Sequence, residues 1–350
     1  MATTKIPVDR PGFLSTMLIA VAAVLLATGM AGAASDRTAP PRPFGPVEIR
    51  SQSPLQQLRF GLLHHRPWVT SKGDLCVYVT DTWKNIWLYD DEFYRIDAEI
   101  HDFGVRGCYG LGRGFELAGE VPLRYVSGGF LDGLIENFHD WFGIGNAGRE
   151  KYPRNDFAFE INPTGEPEDW SRANDGQRGW SLGNLVLSLT YELPYDSVRS
   201  ARASITASVK LPTGTRTEFF GGQSLDYGLS LTVSRRFGPV YLYVSPGMVY
   251  YFDEEVLGIQ LYRWHFSGLA ALEYHRAGSS HSWFLQMLME SGIAEDYAEF
   301  SDNTYELLLG CKFRLSDSMV AEIGFLENVF FFNNSPDIGL HFGVIRRLQL

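Results

Sequence analysis

The sequence predicts an all-β protein: an antiparallel up-and-down transmembrane β-barrel of about twelve strands, with an amphipathic helix in one long loop. Three observations predict it. An export signal opens the chain, period-two alternation of apolar and polar residues fills most of the remaining sequence, and the connections between alternating segments run short, then long.

The first residues carry Lys5 and Arg10, and a charge-free run from 11 to 34 centres on MLIAVAAVLLA and ends on Ala31-Gly32-Ala33. A basic start, an apolar middle and a small-residue cleavage site make a secretory signal peptide, here 1–33. The competing reading is an uncleaved anchor, since the run nearly suffices to span a bilayer. Residues 34–56 read as a periplasmic N-terminal linker, Pro-rich at 35–43, and 57–350 as the barrel domain. The formal charge of −11 and the want of Lys/Arg clusters exclude nucleic acid as a partner. No apolar run after residue 34 matches a membrane helix, so membrane residence requires strands.

Alternation begins at Leu75, Val77 and Val79 against Cys76, Tyr78 and Thr80, continues through Ile96, Ala98 and Ile100 against Asp97, Glu99 and His101, and again through Phe115, Leu117, Val121 and Leu123 against Glu116, Ala118, Glu120 and Arg124. Eight further alternating stretches and a mixed segment at 240–251 carry it to the C-terminus. Tight connections fall at 110–113, 237–239, 278–280 and 315–318, with a Pro-bearing turn near Pro194. Long ones fall at 126–181, 212–224, 253–261, 291–303 and 329–336. Short periplasmic turns and long external loops are the rhythm of a membrane barrel. Trp83, Trp87, Tyr191, Tyr262, Trp264, Tyr274, Trp283 and Tyr305 near strand ends read as interfacial girdles. A soluble lipocalin-like barrel would place the apolar face inward instead.

The opposite face supplies the lumen-lining candidates Glu116, Glu120, Arg124, Lys210, Arg263, His265, Glu273, His275, Lys312 and Arg314. They line either a pore or ligand cavity, or an internal salt-bridge network filling a closed barrel. Cys76 and Cys108 occupy nearly matching strand positions, compatible with a cross-strand disulfide or with two free thiols.

The insert 126–181 holds the helix. Leu131, Leu134, Ile135, Phe138, Trp141 and Phe142 recur at helical spacing, with glycines before and after. Asp132, Glu136, His139 and Asp140 fall near one side, where a general base or a ligand set is geometrically open, though a solvated helix face is the simpler reading. Ser127 beside His139 is the weakest candidate, because no G-x-S-x-G elbow accompanies it. The expectation is a helix that covers or lines the barrel mouth, with no metal, no cofactor and no assigned catalytic residue.

The motifs R-S-Q-S-P-L from Arg50, S-G-G-F-L-D-G-L-I-E-x-F-H-D-x-F-G from Ser127, S-L-G-N-L-x-L-S from Ser181, K-L-P-T-G from Lys210 and S-P-D from Ser335 together resemble the bacterial domain of unknown function 3187 family. That resemblance implies an outer-membrane barrel, reached through the barrel-assembly machinery and surrounded by outer-membrane lipid, and implies no activity. It departs at Asn184 and Asn328, where acids are expected, and at the terminal Leu350. Three functions remain open: a pore or small-molecule or lipid-binding barrel, an outer-membrane lipid-modifying enzyme, and a closed structural barrel of the envelope.

Overall fold

In a computed structural model of the full chain, residues 43–350 are described except 144–147, 173–177, 197–200, 215–221, 223, 329–333 and 337. The expected signal peptide lies outside the described residues.

Twelve antiparallel strands close into a barrel. They are β1 (Asp74–Asp90), β2 (Tyr94–Gly112), β3 (Phe115–Ser127), β4 (Val186–Glu192), β5 (Ala201–Lys210), β6 (Asp226–Phe237), β7 (Val240–Tyr251), β8 (Trp264–Tyr274), β9 (His281–Glu290), β10 (Thr304–Ser316), β11 (Met319–Asn328) and β12 (Ile338–Gln349). Each pairs with its sequence neighbours, and β1 pairs with β12 from Asp74↔Gln349 to Asn85↔Ile338, which leaves no open edge within the cylinder. Short strands at Ala158–Ile161, Ser171–Arg172 and Gly179–Leu182 from the insert extend the sheet beside β2 and β3.

The tight turns at 113–114, 238–239 and 317–318 share one end of the barrel, the turn end, and the long connections share the other, the loop end. Alternation sorts the two faces. Val79, Leu117, Leu189, Leu229, Leu285 and Leu309 are exposed outward, while Glu120, Thr206, Ser230, Gln286 and Glu322 are buried inward. Tyr191, Tyr274, Trp283 and Phe313 ring the turn end, and Trp180, Tyr227 and Phe252 the loop end.

The hairpin β1–β2 outgrows the rest. At 17 and 19 residues these strands exceed every other strand, and the surplus stands beyond the loop end. There the pattern inverts. Ile96, Ala98 and Ile100, aligned by sequence with the lipid face, point inward and are buried, whereas Asp97, Glu99 and His101 point outward. The inward side joins Ile259, Leu261, Ile293, Tyr297 and Phe300 in one apolar cluster that roofs the mouth. Above the membrane, loops and protein replace water inside the cylinder, so the apolar face turns to them. Trp87, expected in a girdle, is buried for a related reason: Tyr152 packs on it at 5.2 Å.

The helix α1 (Asp132–Phe142) sits outside that extension rather than over the lumen. The outward Glu99 carboxylate accepts hydrogen bonds from the Phe130 and Leu131 N–H groups at 2.9 and 3.1 Å, capping the helix start. Gly129, at φ +69°, brings the chain so close to Glu99 that a Cβ there would overlap its carboxylate. Leu131 and Ile135 are buried, but Leu134 and Trp141 are exposed, so only part of the expected apolar face is covered.

Candidate functional site: the lumen and its internal plug

Residues 43–70, which precede β1, occupy the lumen. Their first fourteen positions were expected as a periplasmic linker; instead nearly all of 43–58 is buried, and their partners come from strands all around the cylinder. The segment climbs from the turn end along 43–55, turns in a 3₁₀ helix at Gln56–Leu58, and descends along 59–70 to β1. At the turn end Phe44 lies edge-on to His275, 5.2 Å between ring centres. At the tip Leu55 and Leu58 enter the roof cluster.

Neither limb forms a strand, so its buried backbone groups need other partners. Inward-facing wall side chains supply them. Glu273 accepts from the N–H groups of Phe44 and Gly45 at 3.0 and 3.1 Å. Gln286 accepts from Val47 N–H at 3.0 Å and donates to Val47 C=O at 2.9 Å, which imitates a strand neighbour. Lys312 donates to Pro46 C=O at 2.9 Å. Glu306 accepts from Gln52 N–H, Ser53 N–H and Ser51 Oγ. On the way down, Glu192 accepts from Val69 N–H and Glu116 from Thr70 N–H. Hydrogen bonds to a charged acceptor contribute roughly 1.5–3 kcal/mol each, so these carboxylates hold the plug firmly.

Side chains of the plug are met in kind. Arg50 pairs with Glu120 through both nitrogens, one at 2.7 Å, and Arg106 reaches Glu48. Burial alone would raise the Glu48 carboxyl, but Arg106, with His65 behind it, holds it well below the usual carboxylate range. Val47, Ile49 and Trp68 pack on inward Leu269, Leu288, Leu308 and Leu326. Leu62 lodges against Gly228 and Gly247, where an added Cβ would lie 2.5 and 2.4 Å from its methyl carbons.

This assigns most of the sequence candidates a place. Glu116, Glu120, Arg124, Lys210, His265, Glu273, His275 and Lys312 are buried inward, and most of them bind the plug rather than lining an empty passage. His265 instead joins Glu290 at 2.7 Å, and Lys210 joins Asp226. Two candidates lie elsewhere. Arg263 precedes β8 and pairs with Glu254 in the loop, and Arg314 is exposed at the turn-end rim over the Phe44 ring, because each sits where its strand has left the lumen. Sequence reading missed Lys84, Gln286 and Glu306, the first buried by Gln52 and Gln57 at 2.7 and 2.6 Å. Period-two spacing would have found all three, once the inward face was read for hydrogen-bonding capacity rather than charge balance.

The helix candidates do not converge. Asp132 accepts from Asn85 at 3.1 Å and from Asn155 N–H at 2.6 Å, and Glu136 pairs with Arg154, so both are structural. Asp140 is exposed, and the His139 side chain lies outside the described residues. Among the described residues no cluster of three His, Cys, Asp or Glu side chains has metal-binding geometry. Cys76 and Cys108 face each other across β1 and β2 as free thiols.

The plug does not fill the cylinder. Among the described residues, cavities remain beside it. One, of about 40 Å³, is bounded by Glu48, Arg50, Asp102, Arg106, Glu120 and His341. Another, of about 50 Å³, adjoins the plug tip between β3 and β5 and shares Arg50 and Pro122 with the first.

A closed twelve-strand antiparallel barrel with outward aliphatics, aromatic girdles and a polar interior has the fold of an outer-membrane β-barrel. The chain belongs to the family described as "Protein of unknown function (DUF3187)", which matches residues 22–348. Among solved structures it is similar to an outer membrane channel from Pseudomonas putida F1, at 10% identity and a TM-score of 0.54 over 82% of this chain and 100% of that one. The NanC porin covers 78% of this chain and 100% of its own at 9% identity and a TM-score of 0.44. No curated protein matches the sequence.

Proposed function

We propose that the protein is a gated channel for small polar solutes in the bacterial outer membrane, exported through a cleaved signal peptide, and that residues 43–70 are its gate. The observation that carries this reading is the plug itself. It joins β1 at its C-terminal end and, among the described residues, is held in the lumen by side-chain contacts rather than by strand pairing. Such a segment can leave the lumen without breaking the barrel. The cavities beside it are the remnant of the passage it closes. Outer-membrane lipids are the surrounding partners, and the barrel-assembly machinery acts during biogenesis.

Planar-bilayer conductance of the full chain tests this. The wild type should open rarely. Glu306→Ala leaves Gln52 N–H, Ser53 N–H and Ser51 Oγ without their acceptor, at about 1–3 kcal/mol for each buried group left unpaired. Its open fraction should rise by about a hundredfold or more, on 1.4 kcal/mol per tenfold. A folded Glu306→Ala barrel that stays as silent as the wild type would leave the closed structural barrel as the better reading, which the filled lumen also supports.

A further inference from the structure

The two cavities differ in sign. The one lower in the lumen sets Glu48, Asp102 and Glu120 against Arg50 and Arg106. The one at the plug tip is lined by Arg50, Arg59, Arg124 and Lys210, with Gln57 and Asn184 as amide donors and, among the described residues, no carboxylate. A concentration of four cations is unexpected in a chain whose formal charge is −11.

Three of the four have acids behind them: Glu120 for Arg50, Asp102 for Arg124 and Asp226 for Lys210. Arg59 differs. It donates to the carbonyl oxygens of Tyr262 at 2.8 Å and Asp253 at 3.1 Å, and lies over the Tyr251 ring at 3.4 Å. Among the described residues it has no carboxylate partner. Burial depresses the Arg50, Arg59 and Arg66 guanidinium groups alike. Glu120 outweighs it at Arg50, and Tyr78 with Glu116 at Arg66. At Arg59 nothing does, and its pKa falls. Arg59 is half-buried, and Asp226 and Asp253 act on it only through space, so it is the cation of the four with no ion-paired acid among the described residues.

We propose that this cavity is a binding site for a small carboxylate- or phosphate-bearing solute, with Arg59 as its primary contact and Arg124 and Lys210 as flanking cations. A guanidinium fork suits a planar or tetrahedral oxyanion, and a cavity of about 50 Å³ restricts the ligand to a small one. The site lies at the loop end, where Arg124 approaches the end of β3 and Lys210 ends β5, so it faces the side from which a solute enters.

The site also touches the gate, and this part rests on the channel reading. Arg124 donates to Gln57 C=O at 2.9 Å, and the Arg59 bonds to Tyr262 and Asp253 hold the other side of the same turn. Because Arg50, Gln57 and Arg59 belong to the plug, the site is whole only while the plug is seated, so a bound anion holds the closed form.

Calorimetric titration of the full-length folded protein in nanodiscs with citrate, and separately with inorganic phosphate, at constant ionic strength tests the site without requiring conductance. The expected result is saturable binding of at least one anion. Arg59→Gln should weaken it at least tenfold, while Arg276→Gln, an exposed cation remote from the cavity, leaves it unchanged. Arg59→Lys keeps the charge without the fork and should fall between, which also covers the case in which Arg59→Gln does not yield a folded, heat-modifiable band. Absence of saturable binding, or equal affinity in wild type and both Arg59 variants, would overturn the proposal. If citrate or phosphate binds as expected but bilayers stay silent without the anion, the site stands and the channel reading falls.

Discussion

The barrel contains two regions built from the same strands under opposite rules. In the lower part of β1 and β2, Val79 and Val105 are half-exposed outward while Tyr78 and Arg106 are buried inward. In the upper part of the same two strands, Ile86 and Ile96 are buried inward and Tyr89 is exposed outward. The strands do not change register between them: the pairing runs unbroken from Leu75↔Tyr109 to Asp90↔Tyr94. What changes is the surroundings. Hydrocarbon faces the lower outer wall, and the plug with its charged partners fills the lumen there. Loops and the plug tip fill the upper interior, and the insert with water faces the upper outer wall. Strand alternation therefore reports that two faces differ, and the environment decides which is apolar.

The largest expected effect tests the upper rule. Ile96→Asp places a carboxylate where Ile96 is wholly buried in the roof cluster. The cost of an unpaired buried charge is about 4 kcal/mol or more. In urea titrations the variant should lose most of its folded, heat-modifiable band, or leave the roof open to external protease. A neutral outcome would mean that the roof is hydrated and the inversion is not real.

The next test compares the two regions directly. Val79→Arg and Tyr89→Arg replace outward residues ten positions apart on β1, exposed by 50% and 38%. A cation on the lipid face near mid-membrane costs roughly 2–4 kcal/mol, and one beyond the interface roughly 0–1. Unfolding in lipid vesicles should therefore separate the two variants by about 2 kcal/mol or more. Equal losses would place the membrane boundary higher on β1 than the inversion does.

The same contrast between regions explains what was legible in the sequence. The barrel, its strand number and the short–long rhythm of its connections derive from period two and turn residues, which local chemistry dictates. The direction of each face was not legible for Ile96, Ala98 and Ile100, because alternation is the same for a lipid-facing and a roof-facing row. Residues 43–70 were illegible for a different reason. Their order comes from Glu273, Gln286 and Glu306, more than 200 positions away, and a segment whose backbone is satisfied by distant side chains has no periodicity of its own. Leu134 and Trp141 share helical spacing with Ile135, yet are exposed. Spacing identified the helix, and only the Glu99 cap and the Asn85–Asp132 contact fix which side meets the wall.

The smallest expected effect sharpens the contrast between wall and plug, since the plug is the part that acid should release first. His64 is wholly buried, with Nδ1 2.9 Å from Ser245 Oγ and Nε2 2.7 Å from Ser267 Oγ. Ser267 donates onward to Glu290, so Nε2 carries the proton and Nδ1 accepts from Ser245 in the neutral ring. Burial, reinforced by neighbouring His65, pushes its pKa down to about 3. Released from the lumen, the same ring titrates near 6.5. The released form thus binds a proton that the seated form refuses. Seating is fully stable above pH 6.5 and weakens between 6.5 and 3, by about 1.4 kcal/mol per pH unit in the limit of a single group. Glu48, whose pKa is lowered, contributes in the same direction, but only below its usual range near 4.5. Channel opening should accordingly increase between pH 6.5 and 5. His64→Gln, which keeps a donor and an acceptor but cannot take a proton, should flatten that interval and leave the steeper rise below 4.5. If the wild-type and His64→Gln profiles coincide, the gate does not read pH through this ring, and His65 beside Glu48 becomes the group to replace.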